Sequence, residues 1–329
     1  LSAMMADPST KDLIHPTRAD VSYAYWYLFN FDPNFDAEYE PENWKLAVNN
    51  ENFRKSIVHA FNRMPALATN DRIDPESLKN NTITPNAFAS ASKDYTYYEG
   101  LAAYTEGDNF DEALAEEYKT TAIEELTAAG ATFPIKMLMC YNPTSANWAQ
   151  ECQVVEQQIE GVLGTDYVDI IIQAGPETGF LGAIRRTGNY AFMKCNWGAD
   201  YADPETWTDP FSTDSSYSFI FKSTDPTTQA LYAEYTELVD AAKAITDDMD
   251  ARYSAFAKAE AFLLDHAFAI PFSISSRNYQ MCNLNVFEGQ YASFGMAKQR
   301  YKDQHLYSSS MSLEEYQAAY AEWQSKMAG

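Results

Sequence analysis

Between Asp111 and Trp197 helical and strand periodicity alternate, and that alternation narrows the fold more than any other feature of the chain. Asp111–Ala129 carries Leu114, Tyr118, Ala122 and Leu126 at helical spacing, with Gly130 as a stop. Ile135–Tyr141 reads as a strand, and Asn147–Leu163 as a helix with Trp148, Cys152, Val155, Ile159 and Val162 in register. Tyr167–Gln173 is a second strand, Pro176–Arg186 a short helix and Tyr190–Trp197 a third strand. A βαβαβ order predicts parallel strands joined by right-handed crossovers, hence an α/β architecture.

The flanks add to this frame. Val21–Phe31 is an aromatic-rich strand candidate. Asn49 or Asn50 caps a helix predicted to run through Arg63, with Phe53, Ile57, Ala60 and Phe61 as its apolar stripe. Residues 64–107 read as loop, broken by Pro65, Pro75 and Pro85. Asn80-Asn81-Thr82 matches a glycosylation sequon, too short a match to carry weight. Asp225-Pro226 starts a helix to about Ile245, and a second runs from Thr246 or Asp247 to about His266. Ala269–Ile274 is a strand, residues 283–310 are irregular, and Ser312 with Glu315 forms a capping box for a helix over Leu313–Lys326.

Charge and composition exclude several functions. The 329 residues carry a formal charge of −24, which argues against nucleic acid or an anionic membrane as partner. No apolar run approaches a membrane span. Leu1–Met5 lacks the charged start and apolar core of a signal peptide, so an exported protein would carry its signal upstream. Cys140, Cys152, Cys195 and Cys282 form no CxxC pair; they are expected as buried thiols, with one disulfide as the alternative. His15, His59, His266 and His305 are scattered without ligand spacing, so no metal and no cofactor is expected. Phosphate-binding loops and nucleophile elbows are missing.

The stretch that carries chemistry is Trp197-Gly198-Ala199-Asp200-Tyr201-Ala202-Asp203-Pro204, which leaves the third strand at the rim where α/β proteins bind ligands. The bland reading is a polar turn at Asp203-Pro204. This stretch resembles the ligand loop of solute-binding proteins for oligopeptide and dipeptide ABC importers, extracellular solute-binding protein family 5. Asn52–Arg63 resembles the helix opening that family's second lobe. Tyr253 through Ala259-Glu260 and Leu263, followed by Ile270-Pro271, resembles its return helix and strand.

The resemblance implies a periplasmic-binding-protein-like type II lobe, with a parallel-rich mixed sheet flanked by helices, plus a C-terminal segment of the other lobe. The division expected is 1–40 as a remnant of lobe one and a crossing strand, 41–268 as lobe two, and 269–329 as the return strand and lobe-one segment. It implies no enzyme but an exported importer component, periplasmic or lipid-anchored at the cell surface. The partners are an oligopeptide and a membrane permease. Asp200 falls on the position that takes the peptide's α-ammonium group. An enclosed ammonium needs a charged, hydrogen-bonding partner, and the backbone of Asn196 and Gly198 would pair with the peptide as an added strand. Trp197 would pack beside the ligand or in the core, and Tyr201 joins the loop. Lys194 lies where a family member with a basic residue can hold the peptide carboxylate; because lysine cannot form arginine's two-pronged contact, a solvated or strand-facing lysine is the competing reading. Only the later part of the family pattern is present, so the chain is expected to be a C-terminal fragment whose residues from Asn283 onward expose apolar surface or self-associate. The alternatives are a sugar or other solute in the same fold, or an α/β hydrolase using Asp200 and Asp203, a poor fit because acid–base pairs must flank the scissile bond.

Overall fold

The structure is a computed structural model and describes residues 1–213, 215, 222–291 and 299–328. Its organising element is strand β1 (Tyr23–Phe29), which lies between two partners from far along the chain. The stretch is apolar on both faces, as a doubly covered strand must be. Tyr27 and Phe29 turn to one side, where Tyr27 meets Phe61, Phe192 and Phe272 at ring distances of 5.1–5.3 Å. Trp26 turns to the other, edge-on to Trp207 and Phe211.

Helices α1 (Pro41–Asn49), α2 (Glu51–Ala60) and α3 (Arg63–Asn70) follow. The single helix expected to Arg63 ends at Ala60: Phe61 and Asn62 are extended, and the Asn62 side chain caps the next helix. Phe53, Ile57, Ala60 and Phe61 are all buried. Pro65 does not break structure but sits in the first turn of α3, where its missing N–H is not needed. Asn80 of the sequon is buried, its amide donating to the Thr82 carbonyl.

The alternating region forms α4 (Glu112–Ala128), β2 (Ile135–Tyr141), α5 (Trp148–Leu163), β3 (Val168–Ala174) and β4 (Phe192–Gly198). On α4 the buried positions are Ala115, Ala122 and Leu126, while Leu114 is exposed, a rotation of the expected face. The short helix expected over Pro176–Arg186 contracts to one π-type turn at Leu181–Arg185. Strands β2 and β3 are parallel neighbours, as the alternation predicts. The third strand is not the next parallel neighbour. β4 leaves that pair after one hydrogen bond, Ala191 N–H to Leu138 O, and runs antiparallel to β1. The reason is β1 itself: an apolar run buried on both faces needs partners on both edges, and alternation within 111–197 carries no information about a strand at 23–29. Helices α6 (Pro226–Lys243) and α7 (Met249–Asp265) lead to β5 (Ala269–Ile274), which completes the antiparallel order β4–β1–β5.

The final helix α8 (Leu313–Ala328) has the expected capping box: Glu315 N–H donates to Ser312 Oγ, and Ser312 N–H to the Glu315 carboxylate. Tyr316, Tyr320 and Trp323 gather around Phe287. Of the irregular stretch 283–310, residues 292–298 lie outside the described residues. All four cysteines are free thiols; Cys140, Cys152 and Cys195 are buried.

Candidate functional site

The site is built where β4 ends. Ala199 N–H donates to Ser22 O and Asn30 N–H to Ala191 O, both in the register that pairs Tyr23 with Gly198. Antiparallel ladders alternate, so Cys195 and Trp197 direct their backbone groups toward β1. Asn196 and Gly198 direct theirs to the opposite edge, which pairs with no other strand among the described residues. Gly198 is required for the approach of Tyr23, because a Cβ there would sit 2.6 Å from the tyrosine ring.

Asp200 follows this edge. Its N–H donates to Thr206 Oγ1 at 2.9 Å, which fixes the backbone, while its exposed carboxylate has no hydrogen-bond or ion-pair partner among the described residues. Asp203 is different. Both its oxygens accept from Arg252 at 3.0 Å, and Oδ1 also accepts from Glu205 N–H. Arg252 further donates to Glu205 at 2.5 Å and to the carbonyls of Ala242, Lys243 and Ile245. Asp203 therefore anchors the loop through Arg252, while the Asp200 carboxylate stays exposed.

Two cavities meet at Tyr23, Asn196, Leu181 and Arg185. The larger, about 740 Å³, takes in Asp200, Trp197 and Gly198 with Arg186 and Lys222. The smaller, about 390 Å³, takes in Lys194, Tyr25, Trp148 and Phe180. The structure thus brings Asn196, Trp197, Gly198 and Asp200 to one cavity and places Lys194 in its neighbour. Tyr201 lies on the exposed side of the loop, outside both linings. Trp197 packs partly against the core.

The wall opposite Asp200 was not foreseen. Asn30, the last residue of the aromatic run before Phe31, donates to Gly188 O and Tyr190 O and accepts from Asp32 N–H. This holds the turn carrying Arg185 and Arg186 against the end of β1. Gly188 has φ +74°, and a Cβ would meet Asp32 O at 2.6 Å, so the turn needs glycine there. The sequence signal for this wall was the Arg185-Arg186-Thr187-Gly188 turn, whose basic pair departs from an acidic background.

No group of three or more His, Cys, Asp or Glu side chains suited to a metal ion occurs among the described residues.

A model of the bacterial extracellular solute-binding proteins, family 5 (middle region), matches residues 4–219. The oligopeptide-binding protein AmiA of Streptococcus pneumoniae is 28% identical over 311 residues, 85% of this chain and 47% of that protein. The oligopeptide-binding protein SarA of Streptococcus gordonii is 28% identical over 316 residues, 86% and 47% of the two chains. Among solved structures, the substrate-binding domain of an oligopeptide ABC transporter from Bacillus anthracis aligns with TM-score 0.64 and 19% identity, over 90% of this chain and 51% of that one. Listeria monocytogenes OppA bound to peptide aligns with TM-score 0.63 and 20% identity, over 92% and 52%. These structures share the fold, and the chain spans about half the length of the curated relatives it matches.

Proposed function

The chain is a member of the bacterial extracellular solute-binding proteins, family 5, and from that premise we propose that the whole protein captures oligopeptides outside the cell for a membrane permease of the ABC type. It binds its ligand and does not transform it. Residues 41–268 form one lobe, while residues 1–40 and 269–329 contribute to the crossing strands and the other lobe.

The observation that carries this reading is the placement of Asp200. Among the described residues the Asp200 carboxylate has no partner, and it stands at the end of β4 beside a strand edge where the backbone groups of Asn196 and Gly198 pair with no other strand. An extended peptide set on that edge would pair by main chain alone, which is blind to side chains, and Asp200 would fix its register through the α-ammonium. Trp197 would pack beside the first residues of the ligand. Relatives named as oligopeptide-binding proteins support the ligand class. Among the described residues no helix is long and apolar enough to cross a membrane.

A thermal-shift screen of the whole protein tests this reading. Short peptides with free amines should stabilise it, and their N-acetylated counterparts should not. Asp200→Ala should abolish the difference. Equal stabilisation by both sets removes Asp200 as the anchor, and no shift with either removes the peptide.

A further inference from the structure

Beneath the smaller cavity lies a carboxylate with no exposed surface. Glu151, in the first turn of α5, accepts from Tyr27 Oη at 2.7 Å, Asn70 Nδ2 at 2.7 Å and Lys194 Nζ at 2.6 Å. The donors come from β1, from the end of α3 and from β4, so the geometry is set by three elements packed together. The Lys194 ammonium is also flanked by the rings of Trp148, Tyr25 and Phe272 at 5.1, 5.6 and 5.7 Å. Its side chain keeps 12% exposure, enough to line the cavity.

A lysine so held is a poor host for a ligand carboxylate. In a weakly screened environment the cation and Glu151 already cancel, and an incoming anion meets the repulsion of Glu151 as well as the attraction of Lys194. Three donors on its two oxygens leave Glu151 committed to these partners. The surrounding wall mixes aromatic rings, Tyr23, Tyr25, Trp148 and Phe180, with uncharged polar side chains such as Asn142 and Ser273. The other cation in this lining is Arg185, on the ridge shared with the larger cavity.

We propose that Glu151 is a specificity-determining residue. It cancels Lys194, so the smaller cavity takes an uncharged segment of the bound chain and not its terminal carboxylate. The ligand class rests on the peptide reading above; the pairing of Glu151 with Lys194 does not.

The test uses the whole protein and matched peptides ending in a free carboxylate or an amide, with affinity read by calorimetry. The wild type should bind both forms within about twofold, and Glu151→Gln should favour the free acid by roughly tenfold. The double variant Glu151→Gln/Lys194→Met, which removes both charges, should return to the wild-type ratio and shows whether loss of fold explains the single variant. A wild-type preference for the free acid of tenfold or more overturns the proposal, whether or not the double variant keeps it. An unchanged ratio in Glu151→Gln overturns it too. A second arm needs no peptide: acylation of lysines by an activated ester, followed by mass mapping. Lys194 should react slowly beside Lys222 in the wild type and several-fold faster in Glu151→Gln; equal rates overturn the pairing. If neither peptide form binds, the peptide reading falls and the ligand class with it, while the acylation contrast still decides what holds Lys194.

Discussion

Arg252 grips Asp203 through two parallel hydrogen bonds, Nε to Oδ2 and Nη2 to Oδ1, both 3.0 Å long. The same guanidinium closes the C-terminal end of α6 through three carbonyls, so one side chain joins the loop after β4 to two helices. Arg252→Gln should cost about 3 kcal/mol in urea unfolding, because it strands two acidic groups that are mostly enclosed. Arg252→Lys should recover only part of that loss, since an ammonium cannot reproduce the fork.

Asp200 and Asp203, three positions apart, should behave oppositely. Asp200→Ala removes an exposed carboxylate with no partner among the described residues, and stability should stay within about 0.5 kcal/mol of the wild type. Asp203→Ala removes the partner of Arg252 and the acceptor of the Glu205 N–H, and should cost about 2–4 kcal/mol. Chemical denaturation of the two variants side by side checks the contrast.

Glu260 gives the fold a pH dependence. Its carboxyl is fully buried, and burial pushes it up to about 7 although Thr84 and Tyr95 hydroxyls and the Ile83 and Thr84 N–H groups surround it. The folded state therefore holds this proton more tightly than the unfolded chain. The stabilisation is complete below about pH 4.5 and is lost as pH rises through 7. The difference amounts to about 3 kcal/mol for a shift of this size. Denaturation midpoints measured from pH 4.5 to 8 should fall accordingly, and Glu260→Gln should flatten the profile. Glu51, held down to about 2 first by its hydrogen bond to His266, acts in the other sense, losing its contribution as pH falls from 4.5 toward 2.

Arg54 is buried, and among the described residues it contacts no carboxylate. Its charge is met by Val48 O near the end of α1 and His266 O just past α7, the negative ends of two helix dipoles, with the Phe268 ring 4.8 Å away. Burial pulls its pKa down to about 10, so it stays charged at neutral pH. Arg54→Ala should cost about 3–5 kcal/mol by calorimetry or urea, from lost packing and two unmet carbonyls together.

Local chemistry was legible where a residue's own neighbours decide its state. Asp225 and the Ser312–Glu315 box cap their helices as the sequence predicts. Strands Ile135–Tyr141 and Ala269–Ile274 have the expected bounds. The loop bearing Asp200 stood out because an aromatic, a glycine and two carboxylates follow one strand closely and resemble a family's ligand loop; pattern alone left a plain turn as the competing reading. What escaped depends on distant partners. The antiparallel course of β4 is set by β1, the division of labour between Asp200 and Asp203 by Arg252, and the neutralised state of Lys194 by Glu151. No periodicity or spacing along the chain encodes such encounters.

Strand β1 also has a bearing on how the chain reaches its folded state. Tyr23 pairs with Gly198 and Ala24 with Ile274, so each edge waits for a segment made much later. A chain emerging from the ribosome would carry Tyr-Ala-Tyr-Trp-Tyr-Leu-Phe unpaired until residues 192–198 and 269–274 had followed it. Such long-range closure slows folding and leaves a sticky edge open meanwhile. Refolding should accordingly be slow and concentration-sensitive, and a binder masking residues 23–29 would act as a chaperone for this protein.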